Sequence, residues 1–432
     1  MKLNLVWLRR DLRLDDNTAL KAALQKELPV LLLFIFDTSI LEELKRDDAR
    51  VSFIYRSLLS IHLQLRKSHS GLLIKVGHPE KIWHDLIAEY DIDTVFVNRD
   101  YEPHAIQRDE TIEGLLKKNG IRWLSFKDQV IFEPSEILKK DSLPYTVFTP
   151  YKKRWLESFS KLPPYPASAE LNFQSGFFKH NTPFPSLTTI GFAESRMRPP
   201  EFDLSKISNY DQHREFPALR ATTFVGPFLR FGIISIRSLI NQTADKNQVY
   251  LSELIWREFF MQVIFHYPQI VDRNFKPAFD HVPWRNNPEE FSRWCGGNTG
   301  YPLVDAGMRQ LNATGFMHNR ARMVVASFLC KHLLIDWRWG EAYFASLLFD
   351  YELSSNNGNW QWATGTGCDA APYFRVFNPL IQAEKFDPKQ NYVSHWIPEL
   401  NSSTYAKPIV DHAFARQRAI DTYRHGLTKP HF

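Results

Sequence analysis

Leu3-Asn4-Leu5-Val6-Trp7-Leu8 runs directly into Arg9-Arg10-Asp11-Leu12-Arg13, an apolar hexapeptide stopped by charge. A short apolar run with no polar alternation reads as a strand covered on both faces. Four more strand-like runs follow within the first 133 residues, at 29–36, 72–76, 94–97 and 122–126. Between them, helical patterning predicts helices near 17–26, 50–67, 79–89 and 104–118. Strand–helix alternation at this spacing implies an α/β domain over 1–133, a five-stranded parallel sheet, doubly wound. Ligands of such sheets sit at the carboxyl ends of strands, where Asp37 and Asn98-Arg99-Asp100 fall. No G-x-G-x-x-G follows the first run, so a nicotinamide dinucleotide site has no support.

Working outward, residues 134–200 dissolve into Pro, Ser, Lys and Phe and read as a long interdomain connector. Over 201–432 apolar residues recur at helical spacing, as at 253–265, 301–311 and 321–334, which predicts an all-α domain. The whole chain has 432 residues, 44% hydrophobic and 23% charged, a globular composition that excludes disordered, collagen-like and coiled-coil readings. Its longest uncharged apolar stretch, 29–36, is far too short to cross a bilayer, and the early arginines leave no secretory h-region. Three cysteines, Cys295, Cys330 and Cys368, form neither a disulfide framework nor a four-cysteine iron–sulfur site. These features predict a soluble, cytoplasmic protein with no membrane partner and no metal. Residues 1–133 carry 20 Lys/Arg against 21 Asp/Glu, and the remainder 33 against 27, so an anionic partner should dock on the C-terminal part.

Seven of the twelve tryptophans lie between 256 and 362, interleaved with arginines. Each one alone is ordinary core material. As a group they can stack on unpaired bases or relay electrons to a redox cofactor. The stretch Asn356-Asn357-Gly358-Asn359-Trp360-Gln361-Trp362-Ala363-Thr364-Gly365-Thr366-Gly367, polar, aromatic and glycine-rich, reads locally as a turn with a buried aromatic anchor. Met317-His318-Asn319-Arg320-Ala321-Arg322-Met323 opens a helix on which Asn319, Arg322 and Met323 share a face.

These motifs carry a resemblance. Val6-Trp7-Leu8-Arg9-Arg10-Asp11-Leu12-Arg13, Tyr301-Pro302-Leu303-Val304-Asp305-Ala306-Gly307-Met308-Arg309, the Met317 stretch, the Asn356 stretch and Asp369-Ala370-Ala371-Pro372-Tyr373-Phe374-Arg375 occur in the order seen in the photolyase/cryptochrome flavoproteins, which the sequence resembles along nearly its whole length. The resemblance implies an α/β antenna domain and a helical domain holding FAD. It implies FAD contacts at Tyr210, Thr222, Thr223, Gly226, Tyr250, Arg257, Glu352 and an Arg322–Asp350 pair, with Asn356 facing flavin N5 as a neutral amide that supplies no proton. Gly226 lacks the serine hydroxyl of relatives, Tyr250 stands where tryptophan is frequent, Glu352 replaces an aspartate and Asn359 a glycine.

Glu253, Trp256, Asn319 and Met323 match the pocket with which cyclobutane-dimer photolyases hold a pyrimidine dimer. A protonated Glu253 in a dry pocket could donate to a base carbonyl. Trp256 and Trp362 would wedge the flipped lesion, Arg214, Arg320 and Arg375 would contact the DNA backbone, and Trp360, Trp337 and Trp284 match the family's electron relay, ordered from flavin to solvent. Asp37, Asp100 and Glu102 match an antenna cleft, for a folate or deazaflavin pigment. The expected function is light-dependent repair of cyclobutane pyrimidine dimers in DNA by a monomer. The alternative is a cryptochrome-type light receptor. Only 380–432 follow Asn378-Pro379, with no long receptor-type tail, which favours repair. A redox or nucleotide-binding protein without DNA leaves the four pocket matches unexplained.

Overall fold

The computed structural model describes residues 1–163 and 176–428. Five strands, β1 (Leu3–Leu8), β2 (Val30–Asp37), β3 (Leu72–Gly77), β4 (Ile92–Asn98) and β5 (Arg122–Phe126), form one all-parallel sheet in the order β3-β2-β1-β4-β5. The bounds of β1 and β5 are those the sequence predicts. β4 is longer at both ends because pairing, not hydropathy, ends a strand: Ile92 pairs with Leu3 and Asn98 with Phe126. Successive side chains point to opposite faces. Leu3, Leu5 and Trp7 therefore enter one core with Leu33 and Val97, while Val6 and Leu8 enter the other with Leu32 and Phe34. Helices Thr18–Leu24, Ala49–Arg66, Pro79–Glu89 and Pro103–Lys118 link the strands. Asn17 and Asp48 cap the first two by accepting backbone N–H bonds, and proline opens the other two.

The chain winds one way from β1 to β3 and the other way from β4 to β5, so the topological switch lies between β1 and β4. The polar groups expected to serve an antenna pigment are there, but they are engaged with one another. Arg10 lies 3.0 Å from both Asp100 and Glu102, and Arg230 reaches Glu102 at 3.5 Å. Burial pushes Asp100 up, yet Arg10 and the neighbouring arginines outweigh it and hold the carboxyl below the usual range. Asp37 caps a short helix, accepting from the Ser39 N–H and hydroxyl.

The Cα trace divides into two compact units. One comprises 1–136, 158–200 and 225–245, the other 137–157, 201–224 and 246–432. The stretch 134–200 is thus shared between them: it contains helix Phe148–Phe159, and 164–175 lie outside the described residues. The second unit is helical. Gln248–His266, Pro302–Thr314, Asn319–Ser327, Trp337–Leu347 and Leu353–Thr364 build it around a core containing Met308, Phe328, Trp337 and Trp360. Two local readings change. The expected helix over 321–334 begins at Asn319 and widens into a π turn at Phe328–His332. There the buried Lys331 ammonium donates to Thr364 O at 2.6 Å and Tyr373 O at 3.0 Å. The glycine-rich stretch read as a turn is helix up to Thr364 and stops at Gly365, whose φ of 93° needs no Cβ.

Among the described residues no helix is long and apolar enough to cross a membrane, and no group of three or more metal-ligating side chains occurs.

Two buried histidines make stability depend on pH. Burial lowers His318 to about 4 and His332, bonded to His412 at 2.9 Å, to about 3. Both stay neutral in the fold while the unfolded chain takes up protons below about 6.5. Their contribution is therefore complete above pH 6.5 and is lost as pH falls. Urea titrations should show a loss of about 2 kcal/mol per histidine between pH 7 and pH 5, reduced in His318→Gln. A flat profile over that range would contradict this.

Candidate functional site

Helices Asn319–Ser327 and Leu353–Thr364, with the segment 350–352, line a pocket of about 590 Å³ that opens to solvent. The first helix presents Asn319, Arg322, Met323 and Ala326, one face at helical spacing, as the sequence predicts. The second presents Asn356, Asn359, Trp360 and Trp362. Its opposite face carries Gly358, where a Cβ would sit 2.2 Å from the ring of Phe260 on Gln248–His266. Gly358→Ala should therefore cost about 1–3 kcal/mol by overpacking, read as a lowered Tm. An unchanged Tm would show that the two helices can separate freely.

Charged residues of the pocket are paired. Arg322 Nη2 donates to both oxygens of Asp350, at 3.1 and 2.9 Å, and its Nε to Met317 O at 2.8 Å. Arg257 pairs with the buried Glu352 at 3.1 Å. Asn356 Nδ2 donates to the Glu341 carboxylate at 2.8 Å and to its backbone oxygen at 3.2 Å. The reversed amide would set Oδ1 against two acceptors, so this orientation is fixed, and Oδ1 is what Asn356 can offer the pocket. Burial raises Glu341 and the Asn356 bond opposes it.

In the same unit, Thr222 and Thr223 sit between Arg220 and Phe224, whose φ values of 46° and 54° are uncommon for residues with side chains. Thr223 Oγ1 bonds Tyr250 Oη at 3.2 Å, and Tyr210 packs edge-on against Tyr250. Thr222 Oγ1 is buried with no partner among the described residues. A buried hydroxyl is costly unless something completes it. Gly226 opens the five-residue helix Gly226–Arg230 in the sheet-bearing unit, apart from the residues grouped with it in the sequence reading.

Arg214, Glu253, Trp256, Trp284, Arg320, Trp337 and Arg375 do not line the pocket. Glu253 is a third exposed and ion-paired with Arg214 at 2.5 Å, so it does not sit in the dry pocket expected from sequence. Trp256 lies flat on Phe148, ring centroids 3.6 Å apart, and stacks more loosely on Phe260. Arg320 is held by Glu215 and Phe386, and Arg375 is exposed beside Phe377. Of the three relay candidates, Trp360 and Trp337 are core residues, and Trp337 donates to Asn274 Oδ1 at 2.9 Å. Trp284 is partly exposed and packs against both that core and Tyr423. Trp284 is the most exposed of the three.

Comparison with known proteins decides the family. A model described as DNA photolyase matches residues 4–169, and one described as the FAD binding domain of DNA photolyase matches 250–404. The deoxyribodipyrimidine photo-lyase of Vibrio cholerae is 36% identical across 98% of this chain and 99% of its own. The chain belongs to the DNA photolyase family. The Escherichia coli deoxyribodipyrimidine photo-lyase is also 36% identical over 98% of both chains. A class III photolyase structure from Agrobacterium tumefaciens superposes with a TM-score of 0.88 at 33% identity, covering 99% of this chain and 98% of that one. A Synechocystis cryptochrome gives 0.84 at 25% identity, covering 98% and 99%. As a photolyase-family chain with the FAD-binding domain, its donor set suits the cofactor: Thr222 offers an uncommitted hydroxyl, Asn356 a carbonyl oxygen, and the Arg322–Asp350 pair a fixed field without net charge. Phe148, Glu215 and Glu341 complete the site's surroundings and escaped sequence reading, because none carries a local signal.

Proposed function

We propose that this chain repairs cyclobutane pyrimidine dimers in DNA by light-driven electron transfer. The observation that carries the reading is a single pocket wall. Asn319, Met323 and Trp362, the lesion-side residues, line the same pocket as Arg322, Asp350 and Asn356, the flavin-side residues. FAD held beside Arg322, Asp350 and Asn356 would, when reduced and excited by light, be the source and the final acceptor of the single electron that opens the dimer. The protein's own residues do the rest. Trp256 and Trp362 offer indole faces to a flipped pyrimidine dimer, whose extrusion costs less than that of normal bases because its stacking is already impaired. Asn319 provides an amide and Glu253 a carboxyl for base carbonyls and imides, Glu253 doing so only once it leaves Arg214. Asn356, held by Glu341, would offer its carbonyl oxygen to flavin N5 without delivering a proton. Trp360, Trp337 and Trp284 pass an electron inward when the cofactor is oxidised. Arg214, Arg320 and Arg375 meet phosphates, so affinity falls with salt and reads little sequence.

A second, light-harvesting pigment belongs to this reading. An archaeal photolyase from Sulfolobus tokodaii was described with two FAD molecules, with the implication of a novel light-harvesting cofactor. Asp100 and Glu102 could contact such a pigment only by giving up Arg10 and Arg230. The test of the pocket is the double variant Glu253→Ala/Asn319→Ala, assayed for light-dependent repair of a dimer-containing oligonucleotide. Its yield should collapse while FAD stays bound, and repair at the wild-type level would overturn the assignment.

A further inference from the structure

Four charged side chains of the helical unit form one alternating strip. Arg214 Nη1 meets Glu253 at 2.5 Å, and its Nε lies 3.4 Å from Glu215 Oε1. Glu215 Oε2 accepts from Arg320 Nε at 2.9 Å and also from its Nη2. Arg320 lies 3.9 Å over the Phe386 ring and Arg214 5.2 Å over that of Tyr210, so neither guanidinium swings freely. The strip sums to zero charge, and Glu215 is its only member that touches both arginines. These are two of the three arginines assigned to the DNA backbone.

We infer that Glu215 is a built-in stand-in for a DNA phosphate, one that occupies Arg214 and Arg320 until a phosphodiester displaces it and so sets how tightly the chain holds any DNA. The inference rests on the repair reading above. Carboxylate and phosphate compete for the same donor fork of a guanidinium. A phosphate contact is equally available on damaged and undamaged DNA. With the arginines free, any duplex would gain from them in full. With Glu215 in place, an arriving phosphate gains only the difference between itself and the carboxylate. Undamaged DNA is left with little, whereas a dimer adds its contacts in the pocket. Glu215 thus lowers affinity for damaged and undamaged DNA by a similar factor, which leaves undamaged duplex weakly held while a dimer keeps its pocket contacts, and it holds both guanidiniums in place for the exchange.

The test is dark equilibrium binding of the FAD-loaded protein to matched duplexes with and without a thymine dimer, across a salt series. Glu215→Gln should bind undamaged duplex more tightly, roughly tenfold at low salt, with the slope of log K against log salt steeper by about 1. The dimer-containing duplex should gain by a similar factor. Glu215→Ala should shift both quantities in the same direction, and Glu215→Asp should return them toward wild type. If Glu215 merely props the arginines, Gln and Ala will weaken both duplexes with a shallower slope, and the inference is overturned. It is equally overturned if wild-type binding is salt-dependent and the variants match it. Wild-type protein that shows no salt-dependent DNA binding would sink the repair reading, and this inference with it.

Discussion

Arg322→Leu is expected to leave the protein folded but largely without flavin. The guanidinium makes three bonds at once, two to Asp350 and one to the Met317 carbonyl, across the wall of the pocket. Leucine fills similar volume but leaves a carboxylate and a carbonyl facing the cavity unpaired. Breaking a buried pair costs about 3–5 kcal/mol. Here the arginine side chain is 26% exposed, and solvent screening brings the expected loss of stability to about 2 kcal/mol. The larger effect falls on the cofactor, because an unpaired Asp350 adds net negative charge beside a dinucleotide that is itself anionic. The flavin-to-protein absorbance ratio after purification should drop well below half. Lysine should not restore it, since a point charge cannot reproduce the planar fork. Full flavin occupancy in Arg322→Leu would remove this pair from the cofactor site.

The second large effect is on the lesion. Trp256→Ala should weaken binding to dimer-containing DNA and leave undamaged DNA nearly unchanged. Stacking of a base on an aromatic side chain is worth about 1–3 kcal/mol, or roughly 5- to 150-fold in Kd. One face of this indole is already covered by Phe148, and Phe260 stacks nearby, so the ring is rigid before any base arrives. That preorganisation spares ordering entropy on binding. Trp256→Phe should recover part of the affinity. Equal losses on both DNAs would mean that the indole serves packing alone.

The sheet was legible because its three central strands are short, apolar and buried on two faces, a pattern that little else in a globular chain imitates. The shared face of Asn319, Arg322 and Met323 was legible for the same kind of reason: spacing alone places them together. What escaped has a common cause. Glu215 and Glu341 act through partners 105 and 15 residues away, and no local pattern marks such pairs. Asp100 and Glu102 look identical in sequence whether free for a ligand or bound to Arg10. Glu253 was expected in a dry pocket, but Arg214, distant in the chain, reaches it first. The Leu353–Thr364 helix hid behind Gly358, whose role is to admit the Phe260 ring.

The central claim, that this pocket lets light reverse a pyrimidine dimer, is tested most directly by absorbance near 260 nm of a dimer-containing oligonucleotide mixed with reduced, FAD-loaded protein. Illumination should restore the absorbance of intact thymines, with no change in darkness and none in light when protein is omitted. Protein that binds the dimer and holds reduced flavin, yet leaves that absorbance unchanged under blue light, would contradict the account.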